Sequence, residues 1–296
     1  MPMFEQIERL VSLSLATSFS RKKGVVGFCA LSICGLFTIF CRALSVGANN
    51  WLGLSLAFLP TVLCFGILLA TGVFLNRVYY CEERGLTFPI REIFQEAFPL
   101  LIQVSYLSLP LLVTCLFSWI VMGVFYLVKE IPSIGEGIGI LLSVGPFLLV
   151  LCNFLISIIC ILTLFFLTPH LATKKGIHIK MLEEFFVNLR KSPFLASVLF
   201  LIASFPLGVS VTLLTVAAQM TGFHYIAASA AIGIAFQWLL IMIPFAALLT
   251  PFFLFFFAFS RQSYFLLSHR ARAAKQKVKE ETTETIYTAE EAPSEN

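Results

Sequence analysis

The longest uncharged stretch of the chain runs from Ser192 to Ser260 and reads SPFLASVLFLIASFPLGVSVTLLTVAAQMTGFHYIAASAAIGIAFQWLLIMIPFAALLTPFFLFFFAFS. It contains no Asp, Glu, Lys or Arg. A membrane-spanning helix needs about 20 mostly apolar residues, so this stretch is long enough for two. Its clearest polar break, QMTGFHY at 219–225, predicts one span at about 193–218 and another at about 226–259.

Four more uncharged stretches predict four more spans. These four spans lie at about 24–46, 51–75, 99–128 and 138–168. The chain is 59% hydrophobic and 12% charged, whereas soluble domains are about 25% charged. Backbone groups in hydrocarbon must bond within the protein, and these runs lack the alternation of a barrel strand. The sequence therefore predicts an all-α polytopic membrane protein with six transmembrane helices in residues 24–260.

The basic residues predict the orientation of the six spans. Of the 20 Lys and Arg residues, 18 lie before the first span, after the last, or in alternate gaps, and Arg42 and Lys129 fall on the other side. The positive-inside rule places both termini in the cytoplasm. The net charge of +4 is explained by basic residues that lie next to anionic lipid headgroups, so no nucleic-acid partner is expected. The alternative, that residues 25–40 form the apolar part of a signal peptide, is disfavoured by Glu5 and Glu8.

Three hairpins, each preceded by an amphipathic segment, are predicted from the apolar spacing. The clearest such segment has apolar residues at i, i+3, i+4, i+7 and i+8 from Ile90 to Phe98, and residues 182–189 and 4–11 give shorter versions. Helices of this kind lie in the membrane interface. Residues 1–23 form the first amphipathic cytoplasmic segment. Residues 261–296 form a basic and then acidic tail, whose Thr, Glu, Ala, Pro and Ser-rich end is predicted to be disordered.

Prolines recur within the predicted spans and indicate a weak internal repeat. Pro60 and Pro244 are each followed by Arg at 17 residues and Tyr at 20, giving Arg77 and Arg261. A proline inside a helix frees a carbonyl and permits a kink, and transporters place binding sites at such breaks. The candidate kink or binding positions are Pro60, Pro110, Pro146, Pro206 and Pro244. The candidate residues that face lipid headgroups are Arg77, Arg91, Lys174, Lys175 and Arg261.

One motif resembles a known group of proteins. Leu167-Thr168-Pro169-His170, followed by Lys174-Lys175-Gly176 and an amphipathic segment at 181–191, resembles bacterial six-helix inner-membrane proteins, including the membrane domain of some glycerophosphodiester phosphodiesterases. The resemblance covers the third to sixth spans. It implies a multi-pass protein of the bacterial inner membrane and carries no catalytic residue, because the chemistry of those enzymes belongs to a separate soluble domain.

Catalytic machinery is not apparent in the sequence. The chain has no Asp, which excludes aspartyl dyads and aspartyl-phosphate chemistry, and the predicted spans hold no carboxylate for a proton relay. The eight cysteines form no CxxC pair and are interpreted as packing residues. His170 and His178 are interpreted as solvated side chains at the membrane edge, and Asn153, Gln237 and Ser204 as bonds between helices. No catalytic residue, metal or cofactor is expected.

Two functions remain open at this point. The first is a non-enzymatic protein that organises lipids or partner membrane proteins, indicated by the absence of catalytic groups and by the interfacial segments. The alternative is a small-molecule or lipid transporter built on repeated proline-kinked hairpins. An intramembrane enzyme is a third and weaker reading.

Overall fold

The computed structural model describes residues 3–18, 20–45, 50–85, 109–129, 144–172, 193–225 and 231–290, with the single residues 95, 98, 99, 102 and 106. The helices in these ranges are α1 (Met3–Ser18), α2 (Arg21–Ser45), α3 (Asn50–Glu83), α4 (Leu109–Lys129), α5 (Val144–Ala172), α6 (Pro193–Tyr225) and α7 (Ala231–Glu290). The six from α2 to α7 each contain a stretch long and apolar enough to cross a membrane. The prediction of a multi-pass, all-α membrane protein is confirmed.

Several helices continue past the predicted ends of their spans. Helix α3 extends beyond residue 75 to Glu83, and α6 extends through the polar segment 219–225. Helix α7 continues to Glu290, past the end of the sixth predicted span. No Gly or Pro occurs in 252–290, and the Ala, Lys, Gln and Glu there are good helix formers.

Helix α7 is the centre of the bundle. It packs against α1, α2, α3, α5 and α6, while α3 also packs against α2, α4 and α5. Every residue from Phe253 to Ser260 is buried, and so is every residue from Leu164 to Ala172. These two segments pack against each other in the hydrophobic core. The ring of Phe165, in the second segment, has its centre 5.4 Å from that of Phe256, in the first.

The packing is dense at one end of the bundle and open at the other. The dense end carries Lys23, Arg77 and Arg261, and we call it the basic end. Away from it, α4, the first half of α5 and the second half of α6 expose large apolar side chains such as Phe117, Phe154 and Leu213. Hydrocarbon tails can cover such side chains without loss of free energy, so the open half fits a lipid environment.

The hairpins and the interfacial segments stay predictions. Helices α2 and α3, α4 and α5, and α6 and α7 are in contact pairwise, but their connections lie outside the described residues. Residues 173–192 and most of 86–98 also lie outside them. In α1, the side chains of Ile7, Leu10 and Val11 pack against the protein core. The apolar face of α1 is therefore covered at least partly by protein.

Candidate functional site

An ion pair between a buried lysine and an exposed glutamate joins α1, α2 and α3 at the basic end. Lys23 is only 4% exposed, and its Nζ lies 2.5 Å from a carboxylate oxygen of Glu82, which is 50% exposed. The same ammonium donates to the carbonyl of Thr17 at 2.9 Å and lies 4.2 Å from the centre of the Tyr79 ring. A buried charge is tolerated only when it is paired and hydrogen-bonded, and the carbonyls at the end of α1 favour a cation. Lys23 therefore fixes the corner between α1 and α2 onto α3.

A second group of polar contacts joins α3, α5 and α7. The side-chain amide of Asn76 donates to the Gly72 carbonyl at 2.9 Å and to the Thr168 hydroxyl at 3.1 Å. Arg261 is 3% exposed, and its Nη1 donates to the Asn76 carbonyl at 2.7 Å. Its guanidinium also lies 5.4 Å from the Tyr80 ring. Charged and amide groups buried this deeply are stable because each makes hydrogen bonds to the neighbouring helices.

Pro169 explains one contact between α5 and α7. Proline has no amide hydrogen, so in a helix the carbonyl four residues earlier, here that of Phe165, lacks its usual donor. The hydroxyl of Ser260 in α7 donates to this carbonyl. One residue further on, His170 Nδ1 lies 3.0 Å from the Tyr264 hydroxyl. The interpretation of His170 as a solvated side chain was wrong, because it is buried between these two helices.

A cavity of about 160 Å³ opens between α1, α3 and α7 next to these contacts. It is lined by Thr17, Tyr79, Glu82, Ala258, Arg261 and Gln262. We call it the basic-end cavity. Its wall presents a guanidinium, an amide, a phenol, a threonine and one carboxylate that is already paired with Lys23. A small oxygen-rich anion could accept hydrogen bonds from the guanidinium and the amide.

A larger cavity of about 330 Å³ lies between α2, α3 and α7. Its lining is mainly apolar and includes Pro60, Cys34, Cys64, Thr38 and Met242. We call it the Pro60 cavity. Among the described residues, no group of three or more His, Cys, Asp or Glu side chains could hold a metal ion.

The candidate prolines occupy different environments. Pro60 is buried and lines its cavity, Pro206 is half-buried inside α6, and Pro244 is exposed inside α7. Pro110 and Pro146 lie near the start of the described parts of α4 and α5, and most of the residues just before them lie outside the described ranges.

The candidate headgroup-facing residues also differ in their environments. Arg77 is half-buried in α3. The Arg261 side chain is buried and lines the basic-end cavity. Arg91, Lys174 and Lys175 lie outside the described residues. Arg261, which follows Pro244, does lie beside Tyr80, which follows Pro60, although the repeat itself stays a prediction.

Several residues that form the polar contacts at the basic end were not predicted from the sequence. The predicted spans leave three of these residues at span edges or in the loops beyond, where side chains are expected to be solvated. They are Lys23, Asn76 and Glu82. A usable signal was present, because the apolar pattern of α3 does not stop at Asn76 but continues through Val78 and Tyr79. The interpretation of Asn153 as a bond between helices is confirmed, since its amide donates to the Ser118 hydroxyl at 3.0 Å.

Comparison with known proteins gives no further assignment for this chain: no protein-family model, curated protein or solved structure matches it.

Proposed function

We propose that this chain is a non-enzymatic, lipid-organising protein of a bacterial inner membrane, and that the basic-end cavity holds the phosphate of a phospholipid headgroup. Both termini lie in the cytoplasm in this proposal, so the cavity opens toward the cytoplasmic leaflet. The resemblance to stand-alone bacterial six-helix proteins belongs to the same proposal.

The observation that carries the proposal is the presence of Arg261 and Gln262 in the wall of a small cavity at the membrane edge. Lys23, Glu82 and Arg261 together carry a net charge of one positive unit, which suits one phosphate. Arginine donates paired hydrogen bonds to phosphate oxygens in a fixed geometry. The apolar surfaces of α4 and α6 would meanwhile contact the acyl chains of the surrounding leaflet.

The test is the amount of phospholipid that stays bound to the full chain purified in a mild detergent, measured by mass spectrometry. Arg261→Gln removes the charge, and Ala258→Leu fills the cavity while keeping every charged group. We expect each variant to bind lipid about tenfold more weakly, as for the loss of roughly 1.4 kcal/mol. Lys22→Gln is the matched control, because Lys22 is a basic but exposed neighbour of Lys23.

Two results would contradict the proposal. Wild-type lipid retention in the folded Ala258→Leu and Arg261→Gln variants would show that the cavity holds no headgroup. An equal loss in Lys22→Gln would show that bound lipid reflects general charge at the membrane surface. Circular dichroism and gel filtration of each variant separate loss of binding from loss of folding.

Transport is the second candidate, and the Pro60 cavity favours it. An apolar cavity beside a buried proline in the membrane-spanning part is where a kinked helix could hold a substrate. Pro60→Ala should then abolish the activity in a complementation assay at normal expression, whereas Pro244→Ala, at an exposed proline, should not. If the protein organises lipids as we propose, Pro60→Ala supports growth as well as the wild type does.

A further inference from the structure

Two thiols face each other across the interface between α2 and α3. The Sγ of Cys64 lies 3.5 Å from the carbonyl oxygen of Cys34, and the Sγ of Cys34 lies 4.0 Å from the carbonyl oxygen of Cys64. Such crosswise contacts require that the residues stand directly opposite one another. A disulfide bond likewise needs two cysteines that face each other at short range.

The surroundings of this pair differ from those of a simple packing contact. Cys34 and Cys64 are 8% and 9% exposed, so water-soluble thiol reagents have little access to them. They nevertheless line the Pro60 cavity, which is large enough for a small apolar molecule. The Thr38 hydroxyl also lines this cavity and donates to the Cys34 carbonyl at 2.9 Å.

We propose that Cys34 and Cys64 form a dithiol site that a lipid-soluble quinone oxidises to a disulfide. The sulfur–sulfur bond forms and both sulfur–hydrogen bonds break. Two electrons and two protons pass to the quinone, which becomes the quinol. The site is independent of the proposed headgroup cavity, which lies between other residues at the basic end.

A disulfide suits this position better than a bound metal ion. A monovalent soft metal held by two thiolates leaves a net negative charge in the hydrocarbon, which is costly, whereas a disulfide is neutral. A quinone can reach the pair through the bilayer, which a charged oxidant cannot. The bond would tie α2 to α3 at the wall of the Pro60 cavity and restrict any motion of α3 at its proline.

The experiment uses the full-length wild-type chain in liposomes, treated with a ubiquinone analogue that carries a short alkyl tail. Its ring is fully substituted and leaves no open carbon for a thiol to add to. The protein is then denatured in acid, labelled with a maleimide and analysed by mass spectrometry. We expect six of the eight cysteines to be labelled, and the other two only after reduction. Peptide mapping should identify a link between residues 34 and 64.

Matched variants assign the reaction to the pair. Cys34→Ala and Cys64→Ala should each leave all seven remaining cysteines open to the label after quinone treatment. Cys152→Ala, at an exposed cysteine of α5, should leave the cross-link unchanged.

Three results would overturn the proposal. The first is labelling of all eight wild-type cysteines after quinone treatment. The second is a linked peptide that joins other cysteines, such as Cys41. The third is protection that a metal chelator removes, which would indicate a bound soft metal. Because the decisive measurement uses the wild-type chain, it does not depend on the folding of any variant.

Discussion

At the residue scale, Pro169 and Ser260 form a matched pair. Pro169 leaves the Phe165 carbonyl without its helical donor, and Ser260 supplies a hydroxyl from another helix. The three residues are buried, so water cannot replace a missing donor. An unsatisfied buried carbonyl costs about 1–3 kcal/mol. Pro169 therefore makes α5 depend on α7 for a hydrogen bond that most helices make internally.

This dependence predicts a coupled pair of substitutions. Ser260→Ala should lower the free energy of unfolding by about 1–3 kcal/mol, because it leaves the Phe165 carbonyl unpaired. In a Pro169→Ala background, residue 169 regains an amide hydrogen, so the same Ser260→Ala change should cost clearly less. Thermal unfolding of the four proteins in one detergent gives the coupling.

Ser268→Ala is the control, since Ser268 donates to the Phe265 carbonyl within its own helix. Equal effects of Ser260→Ala in both backgrounds would show that the hydroxyl does not replace the amide lost at Pro169.

At the element scale, α3 and α7 approach closely because a glycine lies between them. A Cβ atom at Gly72 would come closer than 3.0 Å to the ring of Phe257 and to the methyl group of Thr168. Phe257 is fully buried, so its ring has no free space to move into. The same close approach allows Asn76, one turn further along α3, to reach Thr168. The contact between Asn76 and Thr168 thus depends on the absence of a side chain at Gly72 in the apolar core.

Replacement of this glycine should be damaging, while replacement of an open one should not. Gly72→Ala should lower the free energy of unfolding by about 1–3 kcal/mol through overpacking. Gly208→Ala is the matched control in α6, because a Cβ there meets no atom within 4 Å. Alanine also has a higher helix propensity than glycine, so the Gly208→Ala variant should be as stable as the wild type or slightly more stable.

Melting temperatures of the purified variants decide between these outcomes. If the Gly72→Ala variant has the same melting temperature as the wild type, α3 and α7 do not approach as closely as described.

At the scale of the whole molecule, polar and apolar surfaces are separated along the bundle. The basic end holds the buried charges and the dense aromatic core, and the rest presents apolar side chains outward. Buried polar contacts give the basic end a specific geometry, whereas apolar contacts with lipid are nondirectional. We therefore expect the basic end to stay rigid while the open half adapts to the bilayer.

The orientation of the bundle gives the prediction at this scale. Reporter fusions after Ala48, Ser133 and Gly222 should read external, and fusions after Arg84, Lys175 and Lys279 should read cytoplasmic. The reason is that the six predicted spans would place 18 of the 20 basic residues on one side. Alkaline phosphatase and fluorescent-protein activities at each fusion point provide complementary measurements. An external reading at Lys175 would be incompatible with six spans in this order.

The sequence alone determined the class of the fold, the number of spans and a predicted orientation. These depend on local sums of hydropathy and charge, and a segment of about 20 apolar residues prefers hydrocarbon whatever its neighbours are. Helix ends were less well predicted, since tertiary contacts support turns such as 76–83 that composition assigns to a loop.

Only the tertiary structure decided which polar side chains meet. Asn76 reaches Thr168 and Arg261 reaches Asn76 across long separations in the chain, and Lys23 becomes buried because Glu82 and Tyr79 stand opposite it. These meetings depend on the rotation and distance of each helix relative to its neighbours. Side-chain shape across the interface fixes both quantities, and no single segment contains that information.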